Sequence, residues 1–245
     1  MSRGRSVRPA ELVLAGELLL LDPAGVLFWP KRRMLVVADL HLEKGAAFAR
    51  RGVMLPPHDT VATIERLELA LERLAPEIVV SLGDGFHDRE GPRRLPPELA
   101  GRLRRMTCAR EWLWVRGNHD PEPPAELGGT GVGEVAFGEL VLRHEPEEAS
   151  NCIEIVGHLH PRAKLRLGRR TARLGCFVTD GRRLVLPAFG AFTGGLNVLD
   201  EAFGRILAWD FRTYVLGQTT CRRVARDLLL HEPSLSRQAV ETVGV

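Results

Sequence analysis

The chain has 245 residues, of which 44% are hydrophobic and 27% are charged, and its net charge at pH 7 is +3. This composition is that of an ordinary globular protein of one or two domains. The small positive charge permits a polyanionic partner without requiring one. The four cysteines lie far apart and form no Cys-x-x-Cys pair, which excludes a disulfide framework and a zinc knuckle.

The first 25 residues begin with arginines and continue into an apolar stretch, as signal peptides do. Glu11, Glu17 and Asp22 interrupt that apolar stretch, and no cleavage site follows it, so the segment is expected to form an early strand. No other stretch is long and apolar enough to cross a membrane. Together with the scattered cysteines, these features predict a cytoplasmic protein with reduced thiols.

The first half of the chain alternates apolar runs with helical patterns. The predicted elements, in chain order, are strands in 26–30 and 33–41, a helix in 55–77, a strand in 77–84, a helix from Pro96 to about Met106, and a strand in 111–120. Asp59 or Thr60 is expected to cap the first helix. Apolar strands that alternate with helices predict a parallel sheet covered by helices on its faces.

The second half of the chain is predicted to be mostly β. Its expected strands fall in 134–144, 152–160, 163–167, 173–190 and 205–211. The fold class is therefore α/β, in a single domain at 1–221. Residues 222–245 have no strong pattern beyond a short helical turn, and we expect them to form a mobile C-terminal tail.

Each apolar strand is followed by side chains that can bind a metal. In chain order these are Asp39 and His41; Asp84; Asn118, His119 and Asp120; His144; and His158 and His160. Any one of them has an ordinary explanation as a turn residue or a partly buried histidine. Because ligands of open α/β sheets bind beyond the carboxyl ends of the strands, the whole set indicates a single crevice.

A mixture of carboxylates and imidazoles at one crevice suits two divalent ions that act on a phosphate ester. Asp84, on the strand expected to be central, is the natural bridge between the ions. Asp39, His41 and His160 would then bind one metal, and Asn118, His144 and His158 the other. Mixed nitrogen and oxygen ligands favour Mn²⁺, Fe or Zn²⁺ over Ca²⁺.

The order of these motifs resembles that of the calcineurin-like metallophosphoesterase superfamily. The motifs are Asp-x-His, Gly-Asp-x-x-His, Gly-Asn-His-Asp, His and Gly-His-x-His, over residues 35–160. The resemblance implies a two-sheet β-sandwich flanked by helices and a dinuclear metal site with the seven ligands just named. It also implies that His119 contacts the scissile phosphate and assists the leaving group.

A narrower resemblance points to the bacterial DNA-ligase-associated metallophosphoesterases, which are described as DNA damage response endonucleases. It is carried by LFWP, ADLHLEKGAAFARRG, LPPHDT, GNHDP, GHLHP and DGRRLVLPAFGAFTGGLNV, between residues 26 and 198. The Gly-Asp-Gly-Phe-His segment is also similar to one found in nucleases of double-strand-break repair, which implies that His87 orients the substrate phosphate. The resemblance implies a DNA ligase and a helicase as partners.

The leading hypothesis is a Mn²⁺-dependent phosphodiesterase, with Arg50, Arg51 and Arg116 as candidate phosphate contacts. One alternative is a phosphomonoesterase or a small-nucleotide hydrolase. Another is a non-catalytic scaffold for repair partners, although a scaffold would be expected to lose ligands and none is missing. The sequence leaves the oligomeric state open, and a homodimer is one possibility.

Overall fold

The apolar segment near the N-terminus forms a β-hairpin that opens the first of two sheets. The computed structural model describes residues 6–55, 58–120, 122 and 125–232. The first sheet has the strand order β1-β2-β3-β4-β5-β6-β7. Its strands are β1 (Ala10–Leu14), β2 (Glu17–Leu21), β3 (Leu27–Trp29), β4 (Met34–Val37), β5 (Ile78–Leu82), β6 (Glu111–Val115) and β7 (Thr130–Val132).

Neighbouring strands β1 to β4 are antiparallel, whereas β4 to β7 are parallel. The strands predicted in 26–30 and 33–41 are confirmed as the antiparallel pair β3 and β4.

The second sheet is built from the C-terminal half of the chain. Its strands are β8 (Val135–Phe137), β9 (Leu140–Arg143), β10 (Ile153–Val156), β11 (Arg162–Leu167), β12 (Arg170–Thr179), β13 (Arg183–Val185), β14 (Arg212–Leu216) and β15 (Cys221–Val224). The strand order is β15-β14-β12-β13-β10-β9-β8, and β11 pairs with β12 outside this path. Strand β10 is parallel to both of its neighbours, β9 and β13.

In the part of the chain that the structure describes, five α-helical segments accompany the sheets. They are α1 (Lys44–Ala49), α2 (Asp59–Leu74), α3 (Gly91–Arg94), α4 (Pro97–Cys108) and α5 (Glu201–Gly204), and three 3₁₀ turns lie at Pro30–Arg32, Ala125–Leu127 and Arg226–Leu228. Among the described residues, none of the helices has the length and apolarity that crossing a membrane requires. The four cysteines are unpaired: Cys176 and Cys221 are buried, whereas Cys108 and Cys152 are exposed.

The two sheets pack face to face, because alternate residues of the inner strands are apolar on both sides. In β4, Val36 joins a core with Leu142 and Phe177 of the second sheet, whereas Leu35 packs against α2 and α4. The sandwich flanked by helices is thus confirmed. The expectation that helices cover both faces of the parallel sheet is wrong, since the second sheet covers one of them.

Two local predictions are also wrong. Residues 205–211 form turns, and the strand begins only at Arg212, since Trp209 in the predicted strand is 81% exposed. Helix α2 has no side-chain cap; instead, Asp59 accepts a hydrogen bond from the Gly45 N–H, and Thr60 accepts one from the Glu43 N–H. These two side chains therefore connect α2 to α1.

The domain continues beyond residue 221, where the sequence suggested that a tail begins. Strand β15 pairs with β14 up to Val224, and Leu229 is buried against the outer face of the second sheet. The Leu230 N–H also donates to the Lys164 carbonyl at 2.8 Å. The later part of the expected tail, residues 233–245, lies outside the described residues.

Candidate metal centre

The loops that follow β4 and β5 run side by side beyond the sheet. The Asp39 N–H donates to the Gly83 carbonyl, the His41 N–H to the Asp84 carbonyl, and the His87 N–H to the Leu42 carbonyl. Backbone bonds of this kind continue the parallel pairing of the two strands. They bring Asp39, His41 and Asp84 to one edge of the first sheet.

A first cluster of donor atoms is formed by Asp39, His41 and His160. The His160 Nε2 lies 3.3 Å from the Asp39 Oδ1 and 3.3 Å from the His41 Nε2. Asp39 and His41 are buried, and His160 is partly buried. The three residues are those predicted to bind one metal.

A second cluster is formed by Asn118, His144 and His158. The Asn118 Oδ1 lies 3.0 Å from the His144 Nε2 and 3.1 Å from the His158 Nδ1, and the two imidazole nitrogens are 3.3 Å apart. The His144 Nδ1 donates to the Leu82 carbonyl at 3.0 Å, which leaves Nε2 as the ligand atom. These residues are those predicted to bind the second metal.

Asp84 lies between the two clusters. Its Oδ2 is 3.4 Å from the His144 Nε2 of the second cluster and 3.8 Å from the His41 Nε2 of the first. Its Oδ1 accepts the His119 N–H at 3.0 Å, which fixes the orientation of the carboxylate. The side chain is therefore placed to reach ions in both clusters.

The donor set fits two divalent cations. Carboxylate, amide and imidazole donor atoms lie close together, and such mixed sets suit Mn²⁺, Fe and Zn²⁺. Several glycines around these ligands have no room for a side chain. A Cβ at Gly83 would overlap the ring of His144, and a Cβ at Gly117 would overlap Asp84. The backbone thus leaves room for the ligands.

Five of the seven proposed ligands have a strained backbone. Their φ angles lie in the left-handed region: Asp39 56°, His41 43°, Asp84 47°, His158 68° and His160 47°. Non-glycine residues occupy this region at a cost of roughly 1 kcal/mol or more, and such residues concentrate at functional sites.

The charged side chains of the centre partly compensate one another. Burial opposes ionisation of His144, but its hydrogen bond to Asp84 and the charge of Asp39 raise the pKa of His144 to about 9. Burial and the neighbouring His160 lower the pKa of His41 to about 2. Burial would raise the pKa of Asp84, yet the hydrogen bond from His144 holds it below its ordinary value. A metal ion bound through Nε2 would therefore have to displace a proton from His144.

His119 and His87 lie beside the two clusters. The His119 Nδ1 donates to the His87 carbonyl at 2.8 Å, and its Nε2 is 3.9 Å from the Asp84 Oδ2. The His87 ring stacks on the His119 ring with centroids 5.2 Å apart and also contacts Phe48. Burial, followed by Lys44 and His119, lowers the pKa of His87 to about 4, so its ring is neutral at pH 7.

Phe86 and Asp120 position the loop that carries Asp84 and His87. Phe86 is fully buried in the core beneath α2 and α4, and its N–H donates to the Asp120 Oδ2 at 2.9 Å. Asp88 pairs with Arg94 at 2.7 Å and accepts the Glu90 N–H. Asp88 is therefore a turn residue, and its carboxylate contacts neither donor cluster.

The three candidate arginines are exposed. Arg51 lies close enough to His87 to lower its pKa, whereas Arg50 ends α1 and Arg116 follows β6. Lys44 is not among the candidates predicted from the sequence, yet its Nζ is 5.8 Å from the centre of the Phe48 ring and its charge also acts on His87. Lys44 is one of only three lysines and lies in the ADLHLEKGAAFARRG motif. Its place in that motif is the sequence feature that could have identified it as a candidate.

We expect Asp120→Asn to stabilise the metal-free protein increasingly as the pH rises from about 4 to 7. Burial raises the pKa of the Asp120 carboxyl from 3.8 to about 7. In this window the folded state keeps a proton that the unfolded state has released. The free energy of unfolding of the parent therefore falls as pH rises, by up to ~1.4 kcal/mol per pH unit.

Urea unfolding in the presence of a chelator, at several pH values, measures this difference between the variant and the parent. Asp88→Asn is the control, because its pKa lies below 3.8: burial would raise it, but the hydrogen bond with Arg94 lowers it. Above about pH 5, Asp88 is ionised in both the folded and the unfolded state, so its difference should stay constant there. An equally constant difference for Asp120→Asn would contradict the prediction.

Known proteins are similar to this chain in both sequence and structure. Residues 32–173 match the family described as calcineurin-like phosphoesterase. The structure is similar to that of the Pseudomonas putida nuclease MPE, with 30% sequence identity, a TM-score of 0.70, and coverage of 89% of this chain and 100% of that one. It also matches Yfce, a phosphoesterase from E. coli, at 16% identity and a TM-score of 0.40, over 78% of this chain and 98% of that one. No curated protein sequence matches.

The family match extends over more than half of the chain and contains both donor clusters, together with Asp84, His87 and His119. It therefore agrees with the geometry of the centre, where carboxylates and imidazoles converge as divalent ions require. The chain belongs to the calcineurin-like phosphoesterase family and is a metal-dependent phosphoesterase.

Proposed function

We propose that the protein is a Mn²⁺-dependent phosphodiesterase that cleaves DNA strands. The observation that carries this proposal is the position of Asp84 between two donor clusters, with His119 and His87 on the adjacent side. The name of the Pseudomonas putida protein, a nuclease with 30% identity to this chain, supports a nucleic-acid substrate.

The groups of the centre have different roles in hydrolysis. Bound divalent ions supply positive charge to the phosphate oxygens and lower the pKa of a water molecule. The hydrogen bond from His119 Nδ1 to the His87 carbonyl directs Nε2 towards the clusters. In its protonated form, His119 donates a proton from Nε2 to the departing oxygen.

In the proposed reaction, His87 acts through the position of its neutral ring and not through a positive charge. Its neutral ring is held between Phe48 and His119, where it can donate one hydrogen bond to a phosphate oxygen. Lys44 and Arg51 lie on the same side and provide the positive charges that a diester phosphate needs there. These residues form the phosphate-binding side of the proposed site.

A comparison of substrates tests the proposal. The protein is stripped with a chelator, reloaded with Mn²⁺, Zn²⁺, Fe²⁺ or Mg²⁺, and assayed with thymidine 5′-(p-nitrophenyl phosphate) and with p-nitrophenyl phosphate. We expect Mn²⁺ to give the highest activity and kcat/KM for the diester to exceed that for the monoester about tenfold or more, a difference of ~1.4 kcal/mol in transition-state binding. Preference for the monoester would instead identify a phosphomonoesterase.

The biological setting is part of the proposal. The resemblance to ligase-associated phosphoesterases supports work in DNA repair beside a DNA ligase and a helicase, in the cytoplasm. A homodimer is a further possibility that sedimentation of the purified protein would test. Because all seven proposed ligands are present and converge, catalysis is favoured over a purely structural role as a scaffold.

A further inference from the structure

Residues 190–195 form a loop that borders the first donor cluster and is anchored to it at both ends. The Gly190 N–H donates to the Asp39 carbonyl at 3.0 Å, and the Leu196 N–H donates to the Leu159 carbonyl at 3.4 Å, next to His160. A Cβ at Gly195 would overlap the His160 carbonyl. The position of the loop relative to the metal ligands is therefore fixed.

Phe192, within this loop, combines backbone strain with exposure. Its φ angle is 57°, in the left-handed region that favours glycine, and its side chain is 55% exposed. A large apolar side chain in this conformation is unfavourable unless something compensates for it, and burial does so only in part. An exposed aromatic ring on a loop that is anchored to the first donor cluster is instead suited to bind the flat face of a ligand.

The β11–β12 hairpin places a row of cations next to the same loop. Lys164 pairs with Arg173 and Arg166 pairs with Thr171, so these cations share one face of the hairpin, whereas Ala163 and Leu165 on the other face are buried. Since β11 begins directly after His160 and Pro161, the row starts at the first donor cluster.

Two arginines of the hairpin support the loop. An Arg162 side-chain N–H donates to the Thr193 carbonyl at 3.1 Å, and an Arg173 side-chain N–H donates to the Gly195 carbonyl. Arg173 also pairs with Glu232. Arg166, farther along the row, is exposed and has no acidic partner among the residues that the structure describes. The hydrogen bonds from Arg162 and Arg173 thus hold the loop that carries Phe192, whereas Arg166 is exposed and can contact a ligand.

We propose that Phe192 stacks on an unpaired nucleobase next to the scissile phosphate, and that Lys164 and Arg166 contact the sugar-phosphate backbone as the strand leaves the centre. A nucleic-acid strand is the ligand that presents flat aromatic faces and regularly spaced phosphates together. The proposal rests on the diesterase function and adds the surface that selects a polynucleotide over a small diester.

Binding of a short labelled oligothymidylate, measured by fluorescence anisotropy, tests the role of Phe192. The metal-loaded protein carries His119→Ala throughout, so that cleavage is slow. We expect Phe192→Ala to weaken binding about fivefold or more, as the loss of one base–aromatic stacking contact does. Phe192→Trp should restore it, and an abasic strand of the same charge should be bound equally by the parent and Phe192→Ala. Trp209→Ala, at an exposed aromatic residue in the turn before β14, is the control.

The salt dependence of the same binding tests the cationic row. We expect Arg166→Gln to reduce the slope of log affinity against log salt by about 0.7, the value for one phosphate contact on a single strand. Arg104→Gln, at an exposed arginine of α4, should leave the slope unchanged. The inference is overturned if the parent does not bind the strand, or if Phe192→Ala and Arg166→Gln behave like their controls. Failure of the proposed function is a separate result, namely absence of activity on the small diester.

Discussion

Replacing Asp84 by Asn is expected to abolish the paired-metal centre and to reduce hydrolysis on the order of 10³-fold, since an ion in such a site contributes several kcal/mol of charge stabilisation. The Asp84 Oδ1 accepts the His119 N–H, and Oδ2 faces both clusters. Asn can keep the first bond through its oxygen, but its amide NH₂ then points at the cations. The other buried carboxylate of the centre, Asp39, accepts the His158 N–H and lies 3.8 Å from the His144 Nδ1, the nitrogen that donates to the Leu82 carbonyl.

Metal content per chain, measured by inductively coupled plasma mass spectrometry after gel filtration, reports the loss directly. Two metals per chain are expected for the parent and one or none for Asp84→Asn. Asp88→Asn is the matched control on the same loop, because its carboxylate pairs with Arg94 and should leave the metal content unchanged. Circular dichroism excludes unfolding as the cause. Two fully occupied metals in Asp84→Asn would show that Asp84 is not the bridge.

His119→Ala is expected to bind two metals normally and to hydrolyse a diester with a poor leaving group ~10²–10⁴-fold more slowly, as the loss of a proton donor typically does. The effect should be smaller with p-nitrophenolate, which needs little protonation as it departs. This dependence on the leaving group separates proton donation from a general disturbance of the site. His119 is suited to the role because its Nδ1 is held by the His87 carbonyl and 39% of its side chain is exposed.

Turnover of alkyl and p-nitrophenyl diesters by the metal-loaded variant provides the measurement. His58→Asn, at an exposed histidine directly before α2, is the control. If His119→Ala keeps activity within about threefold of the parent on the alkyl diester, His119 has no part in the chemical step. An equal loss on both diesters would point to substrate positioning instead.

The centre could be anticipated because its residues follow a simple topological rule. Strands β4, β5, β6 and β10 are strongly apolar, and parallel strands bring their carboxyl ends together. Polar residues directly after such strands therefore meet, whatever lies between them in sequence. The pairing of His158 with Asn118 and of His160 with Asp39 agrees with the predicted division into two sets.

Features that depend on tertiary packing could not be predicted in this way. The apolar residues in 205–211 suggested a strand, but short apolar runs are compatible with several structures, and here only some of them enter the core while Trp209 faces solvent. Strand β14 was missed because its sequence, RTYVL, shows little alternation of apolar and polar residues. Lys44 could be identified as a candidate only from the structure, in which α1 brings its charge close to His87.

Five residues of the centre have a left-handed backbone: Asp39, His41, Asp84, His158 and His160. Their side chains supply the donor atoms that function requires, while their backbone strain lowers the stability of the fold. At roughly 1 kcal/mol or more for each residue, the combined strain approaches the total stability of an ordinary domain. Ion binding compensates for it, because a ligand that binds only the folded state raises the free energy of unfolding. Glycine at these positions would relax the backbone but remove the donors. Evolution of a more heat-stable form of this enzyme is therefore expected to act elsewhere in the fold, since these five strained residues are ones that the chemistry cannot give up.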